Sequence, residues 1–268
     1  MKTGSMRIVS LCPSLTEMLF DLGRGDELVG ITDWCIHPAQ AVSTVEKVGG
    51  TKTPDTARII ELAPDIVLLN DEENRLEDAR VLEGAGINCL STFPKTVLET
   101  AQMVRTIGAA LCPATQDGDT DQGFLPFEQL AGDIEDGHGL ARARSVRLAP
   151  VRFAYLIWRQ PWMAVGADTY ASDLIGLAGG ENVLAGSIER YGEVEPATLA
   201  AARPDLVLLC TEPFPFDETH AAELADLTGL PRASFSVADG EFISWHGSRT
   251  PAGIDYAADL LDAVRQRT

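Results

Sequence analysis

The chain has 268 residues, 45% hydrophobic and 23% charged, a globular mixture that excludes wholesale disorder. Its 40 Asp and Glu outweigh 21 Lys and Arg, giving a formal charge of −19. A surface this acidic repels phosphate backbones and anionic lipid, so nucleic-acid binding and polybasic membrane attachment are excluded.

No stretch approaches the roughly 20 apolar residues of a bilayer crossing, so no membrane insertion is expected. The apolar N-terminal run is broken by Ser10, Pro13 and Ser14, and no small-x-small cleavage site follows. A cytoplasmic location is therefore expected. The alternative is an extracytoplasmic protein whose leader was replaced by residues 1–5. Five cysteines without a C-x-x-C pair argue against a disulfide framework or a zinc knuckle.

Residues 7–11 predict a strand. Ser14-Leu15-Thr16-Glu17 reads as a capping box opening a helix that ends near Gly23. A second strand is expected over 27–32 and a helix over 56–62. Ala63-Pro64-Asp65-Ile66-Val67-Leu68-Leu69 follows, an apolar run closed at its front by Pro-Asp, the pattern of a parallel strand buried on both faces. The loop behind it, Asn70-Asp71-Glu72-Glu73, is acidic. A helix over 75–83, a strand over 88–91 and a helix over 96–111 complete the first half. The second half opens with a strand over 152–158 and continues through a helix over 172–178 to Gly179-Gly180. Arg203-Pro204-Asp205-Leu206-Val207-Leu208-Leu209, behind a short helix over 198–202, then repeats the first Pro-Asp strand 140 positions on, Pro204 against Pro64. Its loop, Cys210-Thr211-Glu212, is acidic again.

Two copies at this spacing imply two similar lobes; a solenoid needs more and shorter repeats. The expected fold is α/β: two Rossmann-like lobes with parallel sheets, residues 1–111 and 151–268, joined by a long helical connector over 112–150. The helix in that connector is expected over 128–148, although Gly132, Gly137 and Gly139 weaken it.

The tryptophans fall just past predicted strands. Trp34 sits in Asp33-Trp34-Cys35-Ile36-His37-Pro38, Trp158 and Trp162 bracket Arg159-Gln160-Pro161, and Trp245 opens Trp245-His246-Gly247-Ser248-Arg249. In open α/β sheets ligands bind outside the carboxyl ends of the strands. Trp34, Cys35, His37, Trp158, Arg159, Trp162, Trp245, His246 and Arg249 are therefore the candidate ligand-binding residues, walling a cleft for a large, flat, partly polar ligand. The competing reading is that each Trp packs a loop onto its own lobe. Cys35-x-His37 offers one sulfur and one nitrogen, too few for a metal site, and no protein-ligated metal is expected. Asp117, Asp119, Asp121 and Glu128 imitate a calcium loop, but Gln122 occupies the position where the turn needs glycine. An acidic connector is the better reading.

G-x-S-x-G, G-x-x-x-x-G-K-[ST], G-x-G-x-x-G and H-E-x-x-H are all missing. Cys12, at the start of a helix, has no evident base. No catalysis and no catalytic cofactor are expected.

In its residues from Arg7 to Glu17, Val29 to Pro38, both Pro-Asp strands, Ala178 to Val183 and Trp245 to Leu261, the chain resembles the helical-backbone (class III) substrate-binding proteins of ABC importers for vitamin B12, haem and ferric siderophores. The resemblance implies two α/β lobes joined by a long helix, with the ligand between them and the Trp34, Trp162 and Trp245 loops on the rim. Within that family the chain looks most like the cobalamin-binding members, which implies aromatic contact to a corrin ahead of ligation to its metal. It also implies a permease partner, docked through one glutamate near the start of the helix before each Pro-Asp strand. Those positions are Ala57 and Ala197 here, with Asp55 and Glu195 two residues earlier. The expectation is a binding protein for a metal chelate that does not serve a standard importer. The alternative is a tetrapyrrole metal chelatase on a similar scaffold, with His37 and His246 handling metal or protons.

Overall fold

The structure is a computed structural model that describes residues 6–112 and 122–267. The chain divides into two units, Met1–Pro94 with Ala101–Gly132, and Lys95–Thr100 with Asp133–Thr268.

The first unit begins with β1 (Ile8–Ser10), α1 (Pro13–Asp21), β2 (Leu28–Ile31) and the single turn α2 (Ala39–Val42). A two-residue hairpin follows, β3 (Gly49–Gly50) and β4 (Thr53–Pro54), and then α3 (Thr56–Leu62), β5 (Ile66–Asn70), α4 (Leu76–Gly84) and β6 (Cys89–Thr92). Its sheet runs β2-β1-β5-β6, every pair parallel, with Ile8 opposite both Leu28 and Ile66. All five residues of β5 are buried, as a strand covered on both faces requires. Its core gathers Val9, Leu11, Val48, Ile59, Val67, Leu69 and Leu82.

One sequence expectation fails here. The cap of α1 is Cys12, with no side-chain hydrogen bond, and Ser14 is buried inside the first turn. Pro13 explains the difference: its fixed φ suits the first helical position, and it has no N–H to be capped. Helix α3 is as expected, and the Asp55 carboxylate caps it by accepting from the Arg58 N–H at 2.9 Å.

Two long helices, α5 (Val97–Leu111) and α6 (Leu125–Ser145), carry the chain across the unit boundary. Asp117, Asp119 and Asp121 of the calcium-like run lie outside the described residues. Glu128 is on α6, where it pairs with Arg105 at 2.8 Å.

The second unit continues with β7 (Val151–Trp158), β8 (Met163–Val165), α7 (Tyr170–Leu177), β9 (Gly180–Asn182) and β10 (Tyr191–Glu193). Then come α8 (Pro196–Ala202), β11 (Leu206–Cys210), α9 (Glu218–Thr228), β12 (Phe235–Ala238), α10 (Gly240–Ser244) and α11 (Thr250–Arg265). Strands β7, β11 and β12 are parallel, and β9 joins β7 in the same sense. Strands β8 and β10 extend the sheet antiparallel, so this sheet is mixed, whereas parallel sheets were expected throughout. Only Arg159 to Trp162 separates β7 from β8, and a parallel neighbour would need a crossover of a dozen or more residues.

The internal repeat extends to backbone detail. Helices α3 and α8 both end on a left-handed non-glycine residue, Ala63 at φ 46° and Arg203 at φ 50°, directly before Pro-Asp. Asp65 and Asp205 then accept the backbone N–H of Arg7 and of Arg152, each at 2.9 Å. Ala57 and Ala197 are both exposed in the first turns of these helices, with Asp55 and Glu195 as the N-cap residues.

Candidate functional site

In each sheet the chain departs in opposite directions from two neighbouring strands, β1 and β5 in the first unit and β7 and β11 in the second. The carboxyl ends of such a pair are where an open α/β sheet leaves a crevice for ligand. The two units fill that place differently.

In the first unit the crevice holds a polar staple. Asn74, buried in the loop after β5, accepts from the Asn70 N–H at 2.8 Å through Oδ1. Its Nδ2 donates to the Leu11 carbonyl at 2.9 Å and to the Thr51 carbonyl at 3.0 Å. Lys52 adds a bond from Nζ to the Glu72 carbonyl at 2.6 Å. The loops after β1 and β5 and the tip of the β3–β4 hairpin are thereby one body. Glu73 lies within it, and burial pushes its carboxyl above the usual range, opposed by Lys52 and a bond with Thr51.

The loop after β2 carries Trp34, 65% exposed, with its indole nitrogen beside Gly50 of the hairpin. Cys35 is turned the other way, 1% exposed, its Sγ 3.1 Å from Thr16 Oγ1 and 3.2 Å from Thr32 Oγ1. Lys47 Nζ holds the loop by donating to the carbonyls of Cys35 and Thr32 at 2.9 and 3.2 Å. His37, half-buried, precedes a cis proline. Among the described residues, no three His, Cys, Asp or Glu gather into a cluster able to hold a metal ion.

In the second unit the crevice holds rings. Trp158 ends β7 at 41% exposure and meets Phe214 edge-on, centroids 5.6 Å apart. Trp162 stacks on Phe216 at 5.9 Å with the planes 5° apart. Phe214 and Phe216 touch at 4.6 Å, and His220 stands edge-on to both at 5.3 and 5.6 Å. Arg159 lies over Trp162 at 5.8 Å and grips Glu223 with two hydrogen bonds of 2.7 and 2.9 Å. That bond draws the Glu223 carboxyl below its ordinary range. Trp162, Arg159 and Glu223, with Gln160, Pro161, Glu193, Val194 and Glu195, line a cavity of about 320 Å³. The structure thus brings Trp158, Arg159 and Trp162 together.

Trp245 and His246 are buried, each 8% exposed. Trp245 lies under Arg249 at 5.2 Å, and Arg249 also covers Phe242 and pairs with Glu241 at 3.0 Å. His246 meets Tyr170 edge-on at 5.9 Å. These three residues of the α10–α11 turn are therefore packed into their own unit.

Phe214, Phe216 and His220 were missed in the sequence. The signal was present, since Glu212-Pro213-Phe214-Pro215-Phe216-Asp217 directly follows the second Pro-Asp strand, where a loop ring has a crevice to face. Asn74 was missed too, and a lone asparagine in an acidic loop gives no such signal.

Comparison with known proteins accords with this architecture. The model of the family described as periplasmic binding protein matches residues 8–119. Over those residues the chain is similar to the periplasmic binding proteins. The vitamin B12-binding protein of Vibrio vulnificus strain CMCP6 is 23% identical over 97% of this chain and 92% of its own length. That of Vibrio cholerae is 24% identical over 97% of this chain and 87% of its own. Among solved structures, the periplasmic vitamin B12-binding protein of Vibrio cholerae superposes with a TM-score of 0.81 at 20% identity, covering 97% of this chain and 98% of that one. The periplasmic haem-binding protein of Roseiflexus in apo form also gives 0.81, at 24% identity, covering 98% and 99%. These likenesses establish the fold as that of two-lobed binding proteins.

Proposed function

We propose that this protein binds a large metal chelate, a corrinoid, a haem or a ferric siderophore, without transforming it. The observation that carries the reading is the ring cluster at the β7–β11 crevice. Trp158, Trp162 and Phe214 present aromatic edges and faces at the strand ends, with Phe216 buried behind them, beside a cavity in which Arg159 and Glu223 are held as a pair. Aromatic walls with a few placed polar groups are what a flat ligand with a polar rim requires. The fold shared with proteins named for vitamin B12 and haem supports the same reading. The Trp34 loop of the first unit carries an exposed indole of its own. Trp245, His246 and Arg249 have the supporting role of packing beneath the strand ends.

The ligand is the protein's cargo, and no catalytic cofactor is part of the reading. Two of the similar solved structures are named periplasmic, and we place this protein extracytoplasmically with an ABC permease as its partner, against the expectations of a cytoplasmic location and of no standard importer drawn from the sequence. Ala57 and Ala197 leave the docking to other groups, of which the exposed N-cap carboxylates Asp55 and Glu195 are the nearest. Titration of the purified protein with cyanocobalamin, haemin and a ferric siderophore, followed by tryptophan fluorescence, tests the proposal. Saturable one-to-one quenching by at least one of them, with the chelate recovered unchanged, is expected. Absence of quenching by all three overturns it.

A further inference from the structure

The cavity beside Trp162 carries a charge pattern that selects among chelates, and this inference rests on the chelate-binding reading above. Among the described residues, the one cation that lines it is Arg159, committed to Glu223 through two hydrogen bonds. Two further carboxylates, Glu193 at the end of β10 and Glu195 at the N-cap of α8, line the same cavity, and both are exposed. The Arg159–Glu223 pair being neutral in sum, Glu193 and Glu195 leave the cavity negative where it meets the ring of Trp162.

We infer that the Trp162 cavity selects a chelate whose rim carries amides or hydroxyls and whose net charge is zero or positive, and turns away one whose rim carries carboxylates. Amide N–H groups donate to Glu193 and Glu195, and charge-assisted bonds of that kind are stronger than neutral ones. A rim carboxylate would meet two like charges with no uncommitted cation in the cavity to receive it, an arrangement that suppresses the wrong partner. To gain Arg159, it would have to displace Glu223 and leave a third anion in the cavity.

Three probes separate charge from shape: cyanocobalamin, with an amide rim; haemin, with two rim carboxylates; and haemin dimethyl ester, the same ring with those charges removed. Affinities are read by fluorescence quenching at low salt, where such effects are largest. Cyanocobalamin and the ester are expected to bind at least about tenfold more tightly than haemin, a gap that narrows as salt is added. In the Glu193→Gln/Glu195→Gln double variant, both changes at exposed positions, haemin is expected to gain about tenfold while the ester is unmoved. Haemin binding as tightly as its ester, or a variant that shifts both alike, overturns the charge inference and leaves the chelate reading standing. Failure of all three probes, with a ferric siderophore also unbound, overturns the chelate reading itself.

Discussion

Asn74 Nδ2 lies 2.9 Å from the carbonyl oxygen of Leu11, 63 positions earlier in the chain. The bond closes the crevice between β1 and β5, and the same nitrogen reaches the hairpin at Thr51. Asn74→Ala removes the donor from two carbonyls and the acceptor from the Asn70 N–H. At about 1 kcal/mol for each bond, the loss is expected to be about 2–4 kcal/mol. Asn74→Asp is expected to do no better, since a carboxylate cannot donate. Urea unfolding followed by circular dichroism checks both variants. A midpoint unchanged in Asn74→Ala would deny the staple its role.

Rings that touch ligand and rings that hold the unit together should separate in mutants. Trp162→Ala and Phe214→Ala are expected to weaken chelate binding by about 2 kcal/mol or more, as truncation of an aromatic anchor does. Trp245→Ala opens a cavity in packed surroundings and is expected to cost about 3–5 kcal/mol of stability before any effect on affinity. Melting curves beside fluorescence titrations distinguish the two outcomes.

The buried thiols give a pH dependence of definite sign. Burial, aided by the Glu73 carboxylate and opposed by a bond with Ser14, pushes Cys12 up to about 12, and burial opposed by a bond from Tyr155 pushes Cys210 up to about 12, against 9.0 for an ordinary thiol. Half-buried Cys89 is pushed up to about 11. Above pH 9 the unfolded chain loses these protons while the folded protein keeps them. The folded state then binds more protons, so stability falls as pH rises from about 9 towards 12 and is unaffected by these groups below that window. Unfolding midpoints measured between pH 7 and 10.5 are expected to decline only past pH 9. With a thiol reagent at pH 8 the native protein should react slowly, Cys89 first.

The left-handed end of α3 offers a gain. Ala63 is exposed at φ 46°, a conformation glycine adopts without steric cost. Ala63→Gly is expected to stabilise by up to about 1 kcal/mol, since relief of Cβ strain of about 1–2 kcal/mol is partly offset by the greater freedom of the unfolded chain. A raised thermal midpoint checks it.

Much of the fold was legible because its central strands are written as unbroken apolar runs. Residues 66–69 and 206–209 have no polar side to show, and Pro-Asp marks where each begins. The strands that escaped notice, β3, β4, β8, β9, β10 and β12, have two to four residues each, too few for any periodicity to register. The start of α1 misled because Ser14 and Glu17 satisfy a spacing rule while Pro13 decides the geometry. In the site, tryptophan position pointed to the β7–β8 turn, where Trp158, Arg159 and Trp162 do meet. It could not tell the exposed indole of Trp34 from the buried one of Trp245, because burial depends on residues such as Arg249 and Glu241 folding over it. Cys35 illustrates the same limit: its side chain alternates inward, and only the threonines that receive it reveal the direction.

The repeat places Phe214 where its first copy has Asn74, one loop knitting strands together and the other displaying rings. Chores that a single loop would have to compromise between are thus divided across a duplication. On the chelate-binding reading, substitution of half-buried Phe214 would retune what the protein recognises, while Phe216 in the core and Asp217 at the cap of α9 keep the loop in place. A lineage built this way can change cargo without first loosening its frame.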